Sequence, residues 1–230
     1  LTKKHFKEVK IVSTGGGAAG IACLNMLVKL GVKKKNIWLC DKHGLVYAGR
    51  TIDMNSEKSA FAQKTNLRSL EQVIENADMF LGLSGPNVLK PPLLKKMNAK
   101  PIIFALANPT PEIMPEVARK AAPDAIIATG RSDFFNQVNN VLCFPFIFRG
   151  ALDVEAMEIN DEMQLACIDA IAEIARTTTS AEAAAAYQGE SLTFGPEYLI
   201  PKPFDPRLSV VVPTAVAQAA MKSGVAKKPI

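Results

Sequence analysis

Residues Gly15 to Gly20 read GGGAAG and follow an apolar stretch, Val9 to Val12, that is typical of a β-strand. The next stretch, Ala18 to Leu30, has the composition of an α-helix. A G-x-G-x-x-G spacing at such a junction allows a tight turn, a close approach of backbone to a pyrophosphate, and close packing of helix on strand. Phosphate oxygens then face the free N–H groups of the helix N-terminus. The motif predicts a dinucleotide site, and a turn made for packing alone is the alternative.

An acidic residue stands where this type of fold holds the ribose of a dinucleotide. Asp41 ends a second strand-like stretch, Ile37 to Cys40, and comes 21 residues after the last glycine of the motif. A carboxylate about 20 residues beyond the glycines hydrogen-bonds a free 2′-hydroxyl, as in NAD. Lys42, His43 and Lys58 could instead reach the 2′-phosphate of NADP. The two signals conflict, and we lean towards NADP.

Strand-like and helix-like segments alternate from Val9 to Thr129, which predicts a parallel sheet with helices on both faces. The predicted fold class is α/β: a Rossmann-like, doubly wound, mainly parallel sheet with additional C-terminal helices. Further strands are expected over Met79–Leu83, Pro101–Leu106 and Ala125–Thr129, helices over Ser56–Thr65, Leu93–Met97 and Pro115–Ala122, and short segments over Leu45–Tyr47 and Leu70–Asn76. Five strand ends should then point towards one crevice.

The sequence changes in character after Gly130, where helical patterns replace the alternation. Helices are expected over Asn160–Arg176, over the alanine-rich Ser180–Tyr187 with Ser180 as its N-cap, and over Val210–Met221, with a proline-dense surface loop over Pro196–Pro206. We therefore predict a Rossmann-type dinucleotide-binding core over residues 1–150 and a helical C-terminal extension over residues 151–230. The extension should pack on the core, so that the chain forms one structural domain.

Composition excludes several classes of protein. With 48% hydrophobic and 21% charged residues, the 230-residue chain resembles a soluble globular protein. Its formal charge of +5 comes from scattered lysines, which favour solvated faces over a nucleic-acid-binding surface. No uninterrupted apolar run reaches membrane-spanning length, and residues 1–10 lack the apolar core of a signal peptide. We expect a cytoplasmic protein that binds neither nucleic acid nor membrane.

The cysteines, histidines and acidic residues form no recognisable catalytic or metal site. The four cysteines are Cys23, Cys40, Cys143 and Cys167. They have no C-x-x-C spacing and lie in apolar surroundings, which predicts packed, reduced thiols. His5 and His43 stand at no spacing that would form a hydrolase triad, and the acidic residues are scattered. We assign no metal ligand and no catalytic residue to the chain.

Five strings of sequence resemble the cofactor-binding half of malic enzymes, and most closely those of the bacterial type. They are GGGAAG (Gly15–Gly20), IWLCDKHG (Ile37–Gly44), ALANPTPE (Ala105–Glu112), TGRSDFFNQVNNVLCFPFIFRG (Thr129–Gly150) and FGPEYLIPKPFDPR (Phe194–Arg207). The string around Asn140 is far more specific than the glycine motif. The resemblance implies that malate is oxidised by hydride transfer to NAD or NADP and is decarboxylated to pyruvate and CO₂ with a divalent metal.

The resemblance also implies roles for particular residues. The glycine motif matches the family's pyrophosphate loop, and Asp41 matches its ribose acid. Asn108 and Asn140 match amides that face malate and the nicotinamide, and an amide offers a donor and an acceptor without adding charge. The expected cofactor contacts are Gly15, Gly17, Ala18, Ala19, Gly20, Asp41, Lys42, Ser84, Asn108 and Asn139, and the expected malate contacts are Asn108 and Asn140.

Several of these polar residues have a structural alternative. Asn108 could cap its own turn, and Asn139–Asn140 could cap the apolar helix that follows. Ser84 could belong to an ordinary turn. Arg131 and Asp133 could form a local salt bridge that orders the Asn139–Asn140 loop, and we favour that structural role over catalysis.

The groups that perform the chemistry in malic enzymes lie upstream of the glycine motif: a tyrosine acid, a lysine base and the carboxylates that hold Mg²⁺ or Mn²⁺. Only 14 residues precede Gly15 here, so we expect the catalytic half elsewhere in a longer protein and the chain alone to be inactive. Its partners should be malate and pyruvate, that catalytic half, and further copies in a homo-oligomer. The alternative is a non-catalytic dinucleotide-binding or interaction module of the same fold.

Overall fold

The computed structural model describes residues 1–178, 185, 187 and 192–228. The strands are β1 (Ile11–Thr14), β2 (Ile37–Asp41), β3 (Gly44–Leu45), β4 (Met79–Gly82), β5 (Ile102–Ala105) and β6 (Ile126–Thr129). They form one sheet in the order β3-β2-β1-β4-β5-β6, in which only β3 is antiparallel to its neighbour. The predicted α/β, mainly parallel, Rossmann-like fold is confirmed.

Neighbouring residues of each strand bury their side chains on opposite faces of the sheet. Ile11 and Leu81 belong to one apolar cluster, whereas Val12 and Phe80 belong to another. All four are almost completely buried. Both faces are therefore covered, which explains why the strands read as nearly continuous apolar runs rather than as alternating ones.

The helices of the first part of the chain are α1 (Ala18–Lys29), α2 (Ser56–Ser59), α3 (Leu70–Val73), α4 (Pro91–Leu94) and α5 (Pro115–Ala121). Those of the second part are α6 (Phe144–Asp153), α7 (Asp161–Arg176) and α8 (Leu208–Lys222). Single 3₁₀ turns lie at Lys34–Asn36 and Asn140–Leu142. The long predicted helices are present with small shifts of their ends, because their apolar periodicity is strong.

The helix predicted over residues 56–65 is much shorter than expected. It ends after one turn, and Phe61 just beyond it is fully buried. The N–H of Gln63 then donates to Val46 O at 3.2 Å, and its carbonyl accepts from Ala48 N at 2.9 Å. Pairing with this neighbouring segment therefore overrides the local helical preference.

The chain divides into two compact units, Leu1–Phe135 and Asn136–Ile230. The division predicted at residue 150 falls inside α6, so it differs from this result. In the second unit α6 packs with α7 and α8 around an apolar cluster that includes Ile147, Cys167 and Val216. Since that cluster includes residues on both sides of position 150 in α6, Ile147 and Ala151, the helical unit begins earlier than the sequence indicated.

Other local predictions have mixed outcomes. Asn160 caps α7, because its side chain accepts from Met163 N at 3.1 Å. The helix predicted over 180–187, with Ser180 as its cap, lies outside the described residues apart from positions 185 and 187. The cysteines are all free, but Cys23 is exposed on α1, so the prediction of a packed thiol is wrong there. None of the helices that the structure describes is long and apolar enough to cross a membrane.

Candidate dinucleotide site

A crevice of about 710 Å³ opens at the carboxyl ends of β1, β2 and β4. The strand order reverses between β1 and β4, and open α/β sheets bind ligands at such a switch point. The volume suits a small-molecule or cofactor site. The lining residues are Thr14, Gly15, Gly16, Gly17, Cys40, Asp41, Lys42, Gly44, Asp53, Asn55, Lys58, Leu70, Ser84, Gly85 and Val88.

Gly15 and Gly20 shape the turn between β1 and α1. Gly15 has a φ of +106°, and a Cβ there would overlap the carbonyl oxygen of Leu83. A Cβ on Gly20 would overlap the carbonyl oxygen of Gly15, so the helix packs directly against the turn. The Gly15 N–H also donates to Cys40 O at 2.9 Å. The fold requires these two glycines, whatever the crevice binds.

Gly17 leaves open space instead. It is the N-cap of α1, and a Cβ there would have no neighbour within 4 Å. The N–H groups of the first helical turn lack intrahelical partners, because the first such bond is donated by Ile21, to Gly17 O at 3.0 Å. Ala18 and Ala19, which begin this turn, are exposed. The helix N-terminus can therefore receive an anion.

Asp41 anchors a group of charged residues beside the turn, which we call the charged cluster: Asp41, Lys42, Arg50, Asp53 and Lys58. The Asp41 carboxylate accepts hydrogen bonds from Arg50 Nη2, from Lys58 Nζ at 3.1 Å and from the His43 N–H at 2.9 Å. Its side chain is only 6% exposed. The predicted ribose acid is thus largely occupied by protein donors.

The hydrogen bonds keep Asp41 ionised. Burial by itself would raise the pKa of Asp41, but the donors of Arg50, His43 and Lys58 outweigh it and lower that pKa. Burial likewise opposes the charge of Lys58, whereas hydrogen bonds to Asp53 and Asp41 raise the pKa of this lysine. Arg50 also donates to the carbonyl oxygens of Gly44, Leu45 and Ile52 at 3.0–3.2 Å.

The outer part of the charged cluster faces solvent. Lys42 is 74% exposed, and its Nζ lies 3.8 Å from Asp53 Oδ2. His43 Nε2 lies 3.9 Å from the same oxygen. The charged cluster itself contains three cationic side chains and two carboxylates. A net positive charge therefore lies beside the glycine turn. The two are in close contact at Gly16, where a Cβ would be 2.9 Å from Lys58 Cε.

Ser84 lies at the end of β4 and lines the crevice. Its N–H donates to Glu112 Oε1 at 2.9 Å, and its hydroxyl donates to Thr14 Oγ1 at 2.9 Å. Glu112 is completely buried and also accepts from Ala107 N at 3.1 Å. The carboxylate of Glu112 therefore joins the loops that follow β4 and β5, a role that sequence reasoning missed.

Asn108 follows β5 and is exposed. It does not line the crevice described above. Its side chain covers Gly130, where a Cβ would lie 2.8 Å from Asn108 Nδ2. Arg131 donates to Pro109 O at 3.2 Å and pairs with Asp133 through two hydrogen bonds of 2.8 and 2.7 Å. The predicted Arg131–Asp133 salt bridge is confirmed.

Asn139 and Asn140 belong to the second unit. The Asn139 side chain accepts from Val141 N at 3.0 Å, so it caps the 3₁₀ turn at Asn140–Leu142. The structural alternative for Asn139 is thus present in the molecule. The Asn140 side chain belongs to an exposed residue. Their contacts to cofactor or malate stay predictions.

The structure brings together Gly15, Gly17, Asp41, Lys42 and Ser84 around one crevice, whereas the predicted contacts Ala18, Ala19 and Gly20 are not among its lining residues. Besides Glu112, the residues that sequence reasoning missed include Gly16, Arg50, Asp53 and Asn55. Gly16 lies inside the motif, and Asn55 precedes a helical Ser-Glu-Lys run, which is an N-cap signal. No local pattern in the sequence predicts a role for Arg50.

Among the residues that the structure describes, no group of three or more His, Cys, Asp or Glu residues could hold a metal ion.

Comparison with known proteins agrees with the geometry. A family model described as "Malic enzyme, NAD binding domain" matches residues 1–187. The chain belongs to this malic enzyme family. The predicted resemblance is confirmed.

The chain is similar to malic enzymes named for either cofactor. It is 59% identical to the NAD-dependent malic enzyme of Rhizobium meliloti and 57% identical to the NADP-dependent malic enzyme of Escherichia coli. Both alignments cover 100% of this chain and 30% of the relative, so the chain spans about a third of the length of these malic enzymes. The crystal structure of Entamoeba histolytica malic enzyme is 35% identical, with a TM-score of 0.84, over 99% of this chain and 46% of that one.

Proposed function

We propose that this chain binds NAD or NADP in the switch-point crevice as part of a malic enzyme. In the complete protein, malate is oxidised by hydride transfer to the nicotinamide and decarboxylated to pyruvate and CO₂. The observation that carries the proposal is the open position at Gly17. It lies at a bare helix N-terminus beside a net positive cluster, where a pyrophosphate would meet N–H donors and no side chain.

The residues of the crevice fit a dinucleotide. Gly16 and Gly17 place no side chain in the space in front of α1. The N–H groups of Ala18 and Ala19 face this space from the N-terminus of the helix, where they have no intrahelical partner. Asp41 and Ser84 lie to either side of this turn among the lining residues. When bound, the cofactor supplies the hydride acceptor, while the chain's own residues position it.

We also propose that NADP is preferred. Asp41 would repel a 2′-phosphate if it were free, but Arg50 and Lys58 already neutralise its charge. Lys42 is exposed at the crevice and its Nζ lies 3.8 Å from Asp53 Oδ2, so this lysine can turn towards a phosphate. The named relatives divide between NAD and NADP, so the preference rests on the charged cluster.

Asn108 and Asn140 are proposed to hold malate. Amides can bind the hydroxyl and carboxylate oxygens without a charge that would compete with the metal. Their task is to turn the C2 hydrogen of malate towards the nicotinamide, and such positioning can supply several kcal/mol of a hydride-transfer barrier. The acid, the base and the Mg²⁺ or Mn²⁺ ligands are proposed to lie in the catalytic half of a longer, cytoplasmic, homo-oligomeric protein.

The binding proposal is tested by calorimetric titration of the chain with NADP and NAD. Gly17→Val should weaken binding by at least about tenfold, or about 1.4 kcal/mol, because the side chain fills the pyrophosphate space. Gly195→Val is the matched control: it lies in the other unit, and its Cβ would meet only Thr193 O at 3.7 Å. Unchanged affinity in Gly17→Val would overturn the proposal.

The malate proposal is tested in the full-length protein. Asn140→Ala should lower kcat, raise KM for malate, or do both, while cofactor affinity stays within a few-fold. Asn139→Ala is a useful comparison, because it removes the observed cap and should lower stability by about 1 kcal/mol. An unimpaired Asn140→Ala enzyme would remove the proposed substrate role of this residue.

A further inference from the structure

The second unit contains two free cysteines whose sulfur atoms lie 3.4 Å apart. Cys143 immediately precedes α6, and Cys167 lies in the middle of α7. Cys167 is only 1% exposed, whereas Cys143 is partly exposed. One thiol is therefore reachable from solvent, and the second lies in contact behind it. The proposed malate and dinucleotide chemistry uses neither.

The contact makes the two thiols unequal. A hydrogen bond from the Cys167 thiol favours the thiolate of Cys143 and lowers the pKa of Cys143 to about 7, although burial acts in the opposite direction. The same hydrogen bond, together with burial, raises the pKa of Cys167. Cys40 differs, because burial raises its pKa to about 12. Thiolate character and access decide which cysteine reacts with an oxidant.

We propose that Cys143 and Cys167 are a modification site, a dithiol that hydroperoxides oxidise reversibly to a disulfide. The Cys143 thiolate attacks the peroxide oxygen, which gives a sulfenic acid at Cys143 and releases hydroxide. The Cys167 thiol then attacks the Cys143 sulfur, an S–S bond forms, and water leaves. In total, two thiols and one hydrogen peroxide give one disulfide and two waters, and two electrons pass from sulfur to oxygen.

The geometry requires only a small movement. Disulfide sulfur atoms lie about 2.05 Å apart, so the two sulfurs must approach by about 1.4 Å from their 3.4 Å separation. Cys143 lies between the 3₁₀ turn at Asn140–Leu142 and α6, and its N–H donates to Asn140 O at 3.1 Å. The bond would tie the beginning of α6 to α7. In a reducing compartment such a bond is transient, as disulfides that respond to oxidants are.

The first test uses the wild-type protein treated with hydrogen peroxide at low molar excess. We expect intact mass to fall by about 2 Da, peptide mapping to join Cys143 to Cys167, and dithiothreitol to restore the thiols. Cys23→Ser, which removes the exposed cysteine, should oxidise in the same way. Oxygen addition at Cys23 or Cys143 without a Cys143–Cys167 link would overturn the proposal.

The second test follows alkylation of Cys143 by iodoacetamide as a function of pH, with the peptide quantified by mass spectrometry. The wild-type rate should have a midpoint near pH 7, and Cys167→Ala should slow the reaction at that pH by about fivefold or more, because the hydrogen bond is lost. A wild-type midpoint near that of an ordinary cysteine, about 8.5, would overturn the proposal even if Cys167→Ala fails to fold.

Discussion

The glycine turn and the charged cluster form two walls of the crevice, and they are built in opposite ways. The glycine turn, Gly15–Gly20, offers backbone donors and keeps side chains away, whereas the charged cluster presents paired side chains around Asp41. The turn therefore tolerates almost no added atoms on its packed side. The cluster tolerates rearrangement at its exposed edge, where Lys42 lies, but not at its buried centre. We therefore expect binding of an anion to depend on the turn and the choice between anions to depend on the cluster.

The largest effect should come from a single methyl group on the packed side of the turn. Gly20→Ala places a Cβ against the carbonyl oxygen of Gly15, so the turn or the helix must shift. We expect unfolding free energy to fall by about 3 kcal/mol or more, although alanine favours helices. Urea denaturation measures this unfolding free energy. Gly17→Ala, with nothing within 4 Å of its Cβ, is the control, and equal stability of the two variants would end the distinction between packing and open glycines.

A smaller effect is expected at the buried centre of the cluster. Asp41→Asn keeps the shape but leaves Arg50 and Lys58 without their carboxylate, and we expect a loss of about 2 kcal/mol at neutral pH. Because the folded pKa of Asp41 is lowered, its stabilisation is present above the ordinary carboxyl value, about 3.9, and disappears as pH falls through the folded value.

Urea titrations at several pH values separate this prediction from a simple packing defect. The stability difference between wild type and Asp41→Asn should be constant near neutrality and should shrink below about pH 4. Asp124→Asn serves as a control carboxylate outside the cluster, since Asp124 accepts from Lys100 N at 2.7 Å on the surface. If the stability difference between wild type and Asp41→Asn did not change with pH, the charge of Asp41 would not be what stabilises the charged cluster.

The last effect concerns cofactor choice and is measured in binding rather than in folding. Replacing Lys42 and Lys58 together by alanine should narrow the gap between NADP and NAD affinity by about 1 to 3 kcal/mol, the range for hydrogen bonds to charged groups. Lys42→Ala alone should act on NADP without affecting folding, because this side chain is exposed. Titration calorimetry with both cofactors measures this gap in affinity for each variant. Tighter binding of NAD by the parent chain would refute the preference.

Much of the first unit follows from local patterns in the sequence. Apolar runs separated by helical stretches predicted the parallel sheet, and the glycine spacing placed the turn at the end of β1. Asp41 was expected at the end of β2 because a strand-like stretch ends there at the right distance from the glycine motif, and it lies there. These features depend on which side chains are buried and on where a Cβ is excluded, and both leave a periodic or compositional trace over a few residues.

Other features depended on contacts between distant parts of the chain. Arg50 pairs with Asp41, Glu112 joins the loops after β4 and β5, and α2 ends early because Gln63 pairs with another segment. The sequence predicted the same role for Gly15, Gly17 and Gly20. Only the tertiary structure separated Gly15 and Gly20, which are needed for packing, from Gly17, which faces open space. Short-range patterning determines where elements form, whereas partners and free space are set only when the elements pack against one another.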